Sequence, residues 1–330
     1  MAWRENAKIT NLRTDHLYVM GAPVFGGWHP FGDRWYVDYA NGSDTGNTGK
    51  KPDDAFKTLS TAIDACTTNN NDIIFIDGHS TVVETSMVSL SKNRVHIVGV
   101  NGPPGHFGAG AKISCTITSG ATNIGTFQNT GVRNTFTGIK FMNASTVAEG
   151  VYSLVDAGEY ARYFNCEFYK STDLAVAAAS EVIANGDSSM FYNCTFGDLV
   201  NKRTANGARP NVLIDREIVS GKVCRDNYFE GCRFLYHCGD ADQRFVYATT
   251  TNDAERIVHF NRCSFICNPL GSATMLDAID NNTTNAYFLV DHCSFLGPTN
   301  VCADADTTTY IIGSSPVGTT AGLAVEASAA

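Results

Sequence analysis

The chain has 330 residues, 43% of them hydrophobic and 17% charged, with a formal net charge of −9. This composition excludes a chain disordered throughout, since it can bury a large core. The excess of acid excludes a general nucleic-acid binder, and no apolar run approaches the roughly 20 residues of a membrane-spanning helix.

Residues 1–34 read as an N-terminal docking arm. Trp3, Arg4, Phe25, Trp28 and Phe31 stand among Gly-rich turns with little strand alternation. Aromatics on a short arm dock on the chain's own body or on a partner, and these five are the candidate partner-binding residues. The opening Met1-Ala-Trp-Arg-Glu-Asn has no basic-then-apolar export pattern. Assembly in a reducing cytosol is the expectation.

Residues 35–66 read as a strand–loop–helix cap. The strand is Trp35-Tyr-Val-Asp-Tyr. Phe56, Leu59, Ile63 and Cys66 follow helical spacing, and Pro52 with Asp53 and Asp54 favours a helix start there. Ile73-Ile-Phe-Ile76 then opens the first rung of the next unit, which extends over residues 67–313.

That unit is built on a repeat. Six segments share one frame: apolar, two free positions, Cys or Ile, polar, Phe. They are Phe136–Phe141, Tyr163–Phe168, Phe191–Phe196, Phe229–Phe234, Phe260–Phe265 and Val290–Phe295. Successive Cys/Ile positions are 27, 28, 38, 31 and 30 residues apart. In a strand, positions i and i+2 share a face. Cys166 and Phe168 therefore point inward and Glu167 outward, and the equivalent outward residues Lys140, Thr195, Arg233, Ser264 and Ser294 are all polar. The apolar residue three before Cys lies across a bend that the Asn or Gly before Cys permits. A second strand follows each frame, as in Ser153–Ala157, Glu181–Ala184, Phe245–Ala248, Thr274–Ala278 and Tyr310–Gly313. Helical periodicity is absent, and a propeller blade would need four strands in each repeat.

The pattern predicts an all-β chain: a single-stranded right-handed parallel β-helix with a short N-terminal capping helix. Like residues stack at about 4.8 Å per turn into internal Cys and Phe ladders. Cysteine there is a small buried hydrophobe, and ladder geometry rarely suits a disulfide. The eleven cysteines are expected to be reduced. Residues 314–330, rich in Gly, Ala, Ser and Thr, read as a C-terminal tail.

The stretches Tyr36-Val-Asp-Tyr-Ala-Asn-Gly-Ser-Asp44, Ala55-Phe-Lys-Thr-Leu59 and Ile63-Asp-Ala resemble the N-terminal cap of the pectin-lyase-like superfamily of parallel β-helices, and the Asn-Cys-x-Phe rungs are similar to that group. The resemblance covers about residues 35–315 and implies the fold. The superfamily holds lyases, hydrolases, epimerases, phage tailspikes and non-enzymatic surface proteins, so it does not fix the function.

Candidate carboxylates for sugar hydrolysis are Asp156, Asp215, Glu217, Asp240, Asp242, Asp277 and Asp280. Asp215, Glu217 and Asp277 are the alternative catalytic set. Asp215 and Glu217 sit among Arg203, Arg209, Arg216, Lys222 and Arg225, within the longest repeat. Asp291-His292 fills the two free positions of its frame and reads as a turn variant. Cys224, Cys232, His237 and Cys238 do not have the spacing of a zinc site, and no metal or cofactor is expected.

Two functions fit. The first is a non-enzymatic virion protein of a tailed phage, a capsid decoration or head spike. It would assemble in the host cytoplasm as a homotrimer on the major capsid protein or another virion protein. The alternatives are a polysaccharide lyase or hydrolase, tailspike-like, and a glycan-binding module for host polysaccharide. No nucleic-acid or membrane partner is expected.

Overall fold

The computed structural model describes residues 32–100, 110–115, 125–145, 151–170, 179–201, 210–216, 218–219, 221–250, 252–268, 274–302 and 308–313, and the backbone of 16–19 and 22–25. Trp3, Arg4, Trp28, Phe31 and Glu217 lie outside the described residues, as does the tail beyond Gly313. Within the arm, His16–Val19 pairs antiparallel with Ala22–Phe25. The arm therefore contains a hairpin where little strand structure was expected, and Phe25 ends its second strand.

The body is a right-handed parallel β-helix of three sheets. The first sheet has ten strands: Arg34–Val37, Ile73–Asp77, His96–Val100, Thr135–Thr137, Arg162–Phe164, Met190–Tyr192, Cys224–Glu230, Ala254–Asn261, Ala286–Asp291 and Thr309–Ile312. The second has eight, from Thr81–Glu84 through Ile139–Asn143, Glu167–Lys170, Thr195–Gly197, Arg233–His237 and Ser264–Asn268 to Ser294–Leu296. The third also has eight, from Val88–Leu90 through Tyr152–Asp156, Ser180–Ala184, Val212–Ile214 and Asp277–Asn281 to Asn300–Cys302. The chain visits the sheets in turn, one strand of each per coil. Three sequence-based bounds shift. The first sheet begins with Arg34–Val37, at the junction of arm and cap and ahead of the unit over 67–313. The strand placed at Thr274–Ala278 runs Asp277–Asn281. Tyr310 belongs to the first sheet, and Asn300–Cys302 is the third-sheet strand of the last frame.

The frame works because each of its apolar positions is an inner rung. The first aromatic lies in the first sheet and the second in the second sheet. Ring centroids repeat at 4.7 Å for Phe136–Tyr163, 4.6 Å for Tyr163–Phe191, and 4.8 Å for Phe191–Phe229 and Phe229–Phe260. The second file runs Phe141, Phe168, Phe196, Phe234, Phe265, Phe295 at 4.4–5.3 Å. Such offset stacks add to the area that each ring buries. The thiols of Cys194, Cys232, Cys263 and Cys293 donate to the carbonyls of Tyr163, Phe191, Phe229 and Phe260 at 3.3–3.4 Å. Burial pushes Cys166 and Cys232 well above the ordinary thiol range, so they remain protonated. All eleven cysteines are free thiols.

The bend before Cys requires left-handed backbone. Its occupants Gly138, Asn165, Asn193, Gly231, Arg262 and His292 have φ between 50° and 65°. Gly and Asn reach that region at least cost. The two glycines differ in space. A methyl on Gly138 would meet nothing nearer than 3.7 Å, whereas one on Gly231 would sit 2.6 Å from Asn193 Oδ1. Gly138→Ala should cost only the backbone strain, about 1–2 kcal/mol. Gly231→Ala should cost more, because Asn193 must also move. Urea midpoints of the two variants measure the difference.

One α-helix, α1 (Leu59–Ala65), packs on the strands of the first coil and buries Leu59, Ala62 and Ile63. It begins behind the cap residue Thr58. Pro52–Asp54 forms a separate 3-10 turn, because the following Ala55 and Phe56 are needed as extended chain: Phe56 bridges Val37. Buried Glu84 accepts from the backbone N–H of Leu59 at 2.7 Å and from the Ser60 hydroxyl at 2.9 Å. Lys92 Nζ donates to the carbonyls of Ile63, Asp64 and Cys66 at 2.6–2.8 Å. An anion at the helix start and a cation at its end both oppose the helix dipole.

Candidate functional site

The carboxylates singled out from sequence do not converge. Asp215 follows the strand Val212–Ile214, and its N–H donates to Asn185 Oδ1 at 3.2 Å. Asp277 opens a strand two coils later and accepts from Asn300 Nδ2 at 2.9 Å. The pairing of Val212 with Val246 and of Val246 with Ile279 sets the two acids at opposite ends of their strands. Asp280 is paired with Arg244 at 2.7 Å. Asp240 and Asp242 share an exposed turn. Asp156 is fully buried inside the solenoid. The Ile218 and Val219 side chains of the longest coil pack on Val155, Ile183 and Leu213 over the outer face of the third sheet. That part of the insertion covers the body. No group of three or more metal-ligating side chains occurs among the described residues.

The outer face of the first sheet holds the richer constellation. Its register aligns one file from end to end: Tyr36, Phe75, Val98, Thr137, Phe164, Tyr192, Glu230, Asn261, Asp291, Ile312. Strand alternation turns every one of these outward, with inner apolar rungs as immediate neighbours. In the last coils the file becomes polar. Asn261 Nδ2 donates to Glu230 Oε2 at 2.7 Å and to the Tyr228 hydroxyl at 2.9 Å. The Tyr228 hydroxyl in turn donates to Glu230. Burial, followed by that hydrogen bond to Glu230, pushes the Tyr228 phenol up. One coil further, Asp291 lies 2.5 Å from His292 Nδ1 and 3.8 Å from His259 Nε2. Exposed Arg262 reaches Glu230 at 4.0 Å.

Glu230 and Asp291 are thus two coils apart in one file, about 10 Å between backbones. The Asn261 amide lies between them. One carboxylate fed by Tyr and Asn donors and one flanked by imidazoles, in the same file, are of the residue types that do acid and base work on a sugar linkage. A concavity lies on the second sheet, walled by Tyr169, Thr195, Leu235 and Val200 and rimmed by Lys140, Glu167, Asp198 and Asn201. Its ionic groups Lys140 and Glu167 pair with each other at 2.6 Å.

No protein-family profile and no curated protein matches the chain. Solved structures do match. A rhamnogalacturonan lyase superposes with a TM-score of 0.57 at 14% identity, over 85% of this chain and 73% of its own. Pectate lyase Pel9A gives 0.56 at 14% identity over 88% and 72%. Pectin methylesterase PemA from Erwinia chrysanthemi gives 0.53 at 12% identity over 88% and 90%. At such identities the likeness concerns the backbone path. A coil of three parallel strands, an inner aromatic ladder and these superpositions agree: the chain has a right-handed parallel β-helix fold.

Proposed function

We propose that this chain is a non-enzymatic structural protein of a tailed-phage particle, a capsid decoration or head-spike component that works as a homotrimer. The observation that carries the reading is the unbroken stack from Arg34 to Ile312. Ten strands at about 4.8 Å make a rod of about 43 Å whose backbone is paired coil to coil. Its core is filled by stacked rings and thiols, and such packing suits a part that must stay rigid outside a cell. In this reading the arm, with Trp3, Arg4, Phe25, Trp28 and Phe31, attaches the body to the major capsid protein or another virion protein. Tryptic digestion of density-purified particles of the encoding phage tests it. Peptides of this chain in fixed proportion to the capsid protein are expected. Their absence from particles, with the protein present in the lysate, would overturn the reading.

A second reading, a polysaccharide lyase or hydrolase or a glycan-binding module, is favoured by one observation, the Glu230–Asn261–Asp291 file with its flanking Tyr228 and His259. Incubation with bacterial capsule or pectin separates it from the first. New reducing ends or ultraviolet-absorbing unsaturated products, lost in Glu230→Gln, would reject the structural role.

A further inference from the structure

We infer that the outer face of the first sheet is where three copies of this chain meet, side by side with their solenoid axes parallel. This rests on the homotrimer proposed above and names its interface. Five of the ten large apolar side chains exposed among the described residues lie on this one face: Tyr192, Ile257, Tyr287, Tyr310 and Ile312, at 41–55% exposure. Tyr192 and Ile312 belong to the file that starts with Tyr36 stacked on Phe75 at 5.4 Å and includes Phe164 beside Tyr192 at 6.1 Å, while Ile257 pairs with Tyr287 and Tyr310 with Leu289 in parallel files of the same face. Tyr287 and Tyr310 touch edge to face at 5.6 Å. Four such side chains in the last coils expose roughly 400 Å², the size of the largest apolar patch on a typical single chain, which is often functional.

The length and pitch of the face identify that partner. Aromatic or apolar groups stand outward on nine of the ten strands, the exception being Thr135–Thr137, at the coil spacing of about 4.8 Å. A short peptide or a small ligand would cover a fraction of this. A second solenoid lying parallel presents the same groups at the same heights along the whole length. The charges agree. Arg262, its side chain 75% exposed, stands one coil, about 4.8 Å, from Glu230 on one side and Asp291 on the other. A neighbouring copy therefore brings an acid to each such cation and a cation to each acid. The polar cluster then lies in the rim of a protein interface.

Light scattering on the size-fractionated full-length chain tests the inference. The wild-type mass should be three times that of one chain, and Tyr192→Lys/Tyr287→Lys should fall to the mass of one chain with an unchanged circular dichroism spectrum. Ser264→Lys, on the second sheet, should stay trimeric. Should the double variant fail to fold, Tyr310→Cys serves instead, and mild oxidation should link it between chains at the shared axis. A double variant that remains trimeric, or a folded Tyr310→Cys that never cross-links, would overturn this face as the interface while leaving the trimer intact. A monomeric wild type would overturn both the interface and the trimer. The virion role is decided separately by the particle digest.

Discussion

Replacing Phe229 with alanine should destabilise the fold by about 3–5 kcal/mol. The ring is fully buried and touches four others: Phe191 and Phe260 at 4.8 Å, Phe196 at 5.8 Å and Phe234 at 6.0 Å. Both coil neighbours are held by their own backbone pairing, so they cannot collapse into the space. A cavity remains in mid-ladder, and the transfer and cavity penalties add. Leu296→Ala is the matching control, since its side chain is 61% exposed on the second sheet. It should change stability by less than about 0.5 kcal/mol. Urea unfolding followed by tyrosine fluorescence measures both. Equal effects would mean that the inner file does not carry the stability.

Asp156→Asn should stabilise the protein at neutral and alkaline pH. Burial pushes the Asp156 carboxyl above its ordinary range, against hydrogen bonds from Asn129 Nδ2 and the Tyr163 hydroxyl at 3.0 Å each. A carboxyl raised in the fold favours the folded state fully below the unfolded-chain value of about 3.9. That contribution is lost as pH rises through the folded value. Asparagine keeps an acceptor for Asn129 and Tyr163 and does not titrate. The variant should therefore match the wild type below about pH 4 and exceed it increasingly above. Asp156→Ala leaves both donors without an acceptor and should be less stable at pH 4 by about 1–3 kcal/mol. Parallel stability curves of wild type and Asp156→Asn from pH 4 to 9 would contradict this account.

The solenoid was legible because its inner positions tolerate few residue types. A ring that must stack on the ring of the next coil leaves a periodic trace, and Phe–x–x–Cys–x–Phe is that trace. The bend was half legible. Asn165, Asn193, Gly138 and Gly231 are residues that suit left-handed backbone, whereas Arg262 and His292 occupy the same place without advertising it. A second left-handed corner, Arg94, Arg133, Tyr160, Ser188, Asp226 and Arg256, with φ of 46–67°, left no trace at all. There the conformation is imposed by coil-to-coil hydrogen bonds such as Arg133 N–H to Glu159 carbonyl at 2.7 Å. Helical spacing misled at Phe56, which the core recruits as extended chain.

The polar file was missed for a different reason. Glu230, Asn261 and Asp291 lie 31 and 30 residues apart, so no local motif joins them. The signal is present in the frame, at its first free position: Thr137, Phe164, Tyr192, Glu230, Asn261, Asp291. The residue between Cys and Phe is polar in all six copies and marks the outer face of the second sheet, whereas this position varies between apolar and polar along the chain and leaves no constant pattern. The insertion around Asp215 attracted notice by its length and charge, yet its apolar Ile218 and Val219 pack on the third sheet.

Thiol labelling tests the stacked interior most directly. Unreduced native protein treated briefly with a charged alkylating reagent should react at Cys302, the one half-buried cysteine among eleven, while the other ten, all buried, stay protected. In denaturant, still without reductant, all eleven should be labelled. Rapid native labelling of Cys166, Cys194, Cys232, Cys263 or Cys293, or fewer than eleven labels after unfolding because some are bonded as cystines, would contradict a solenoid lined by ladders of free thiols and rings.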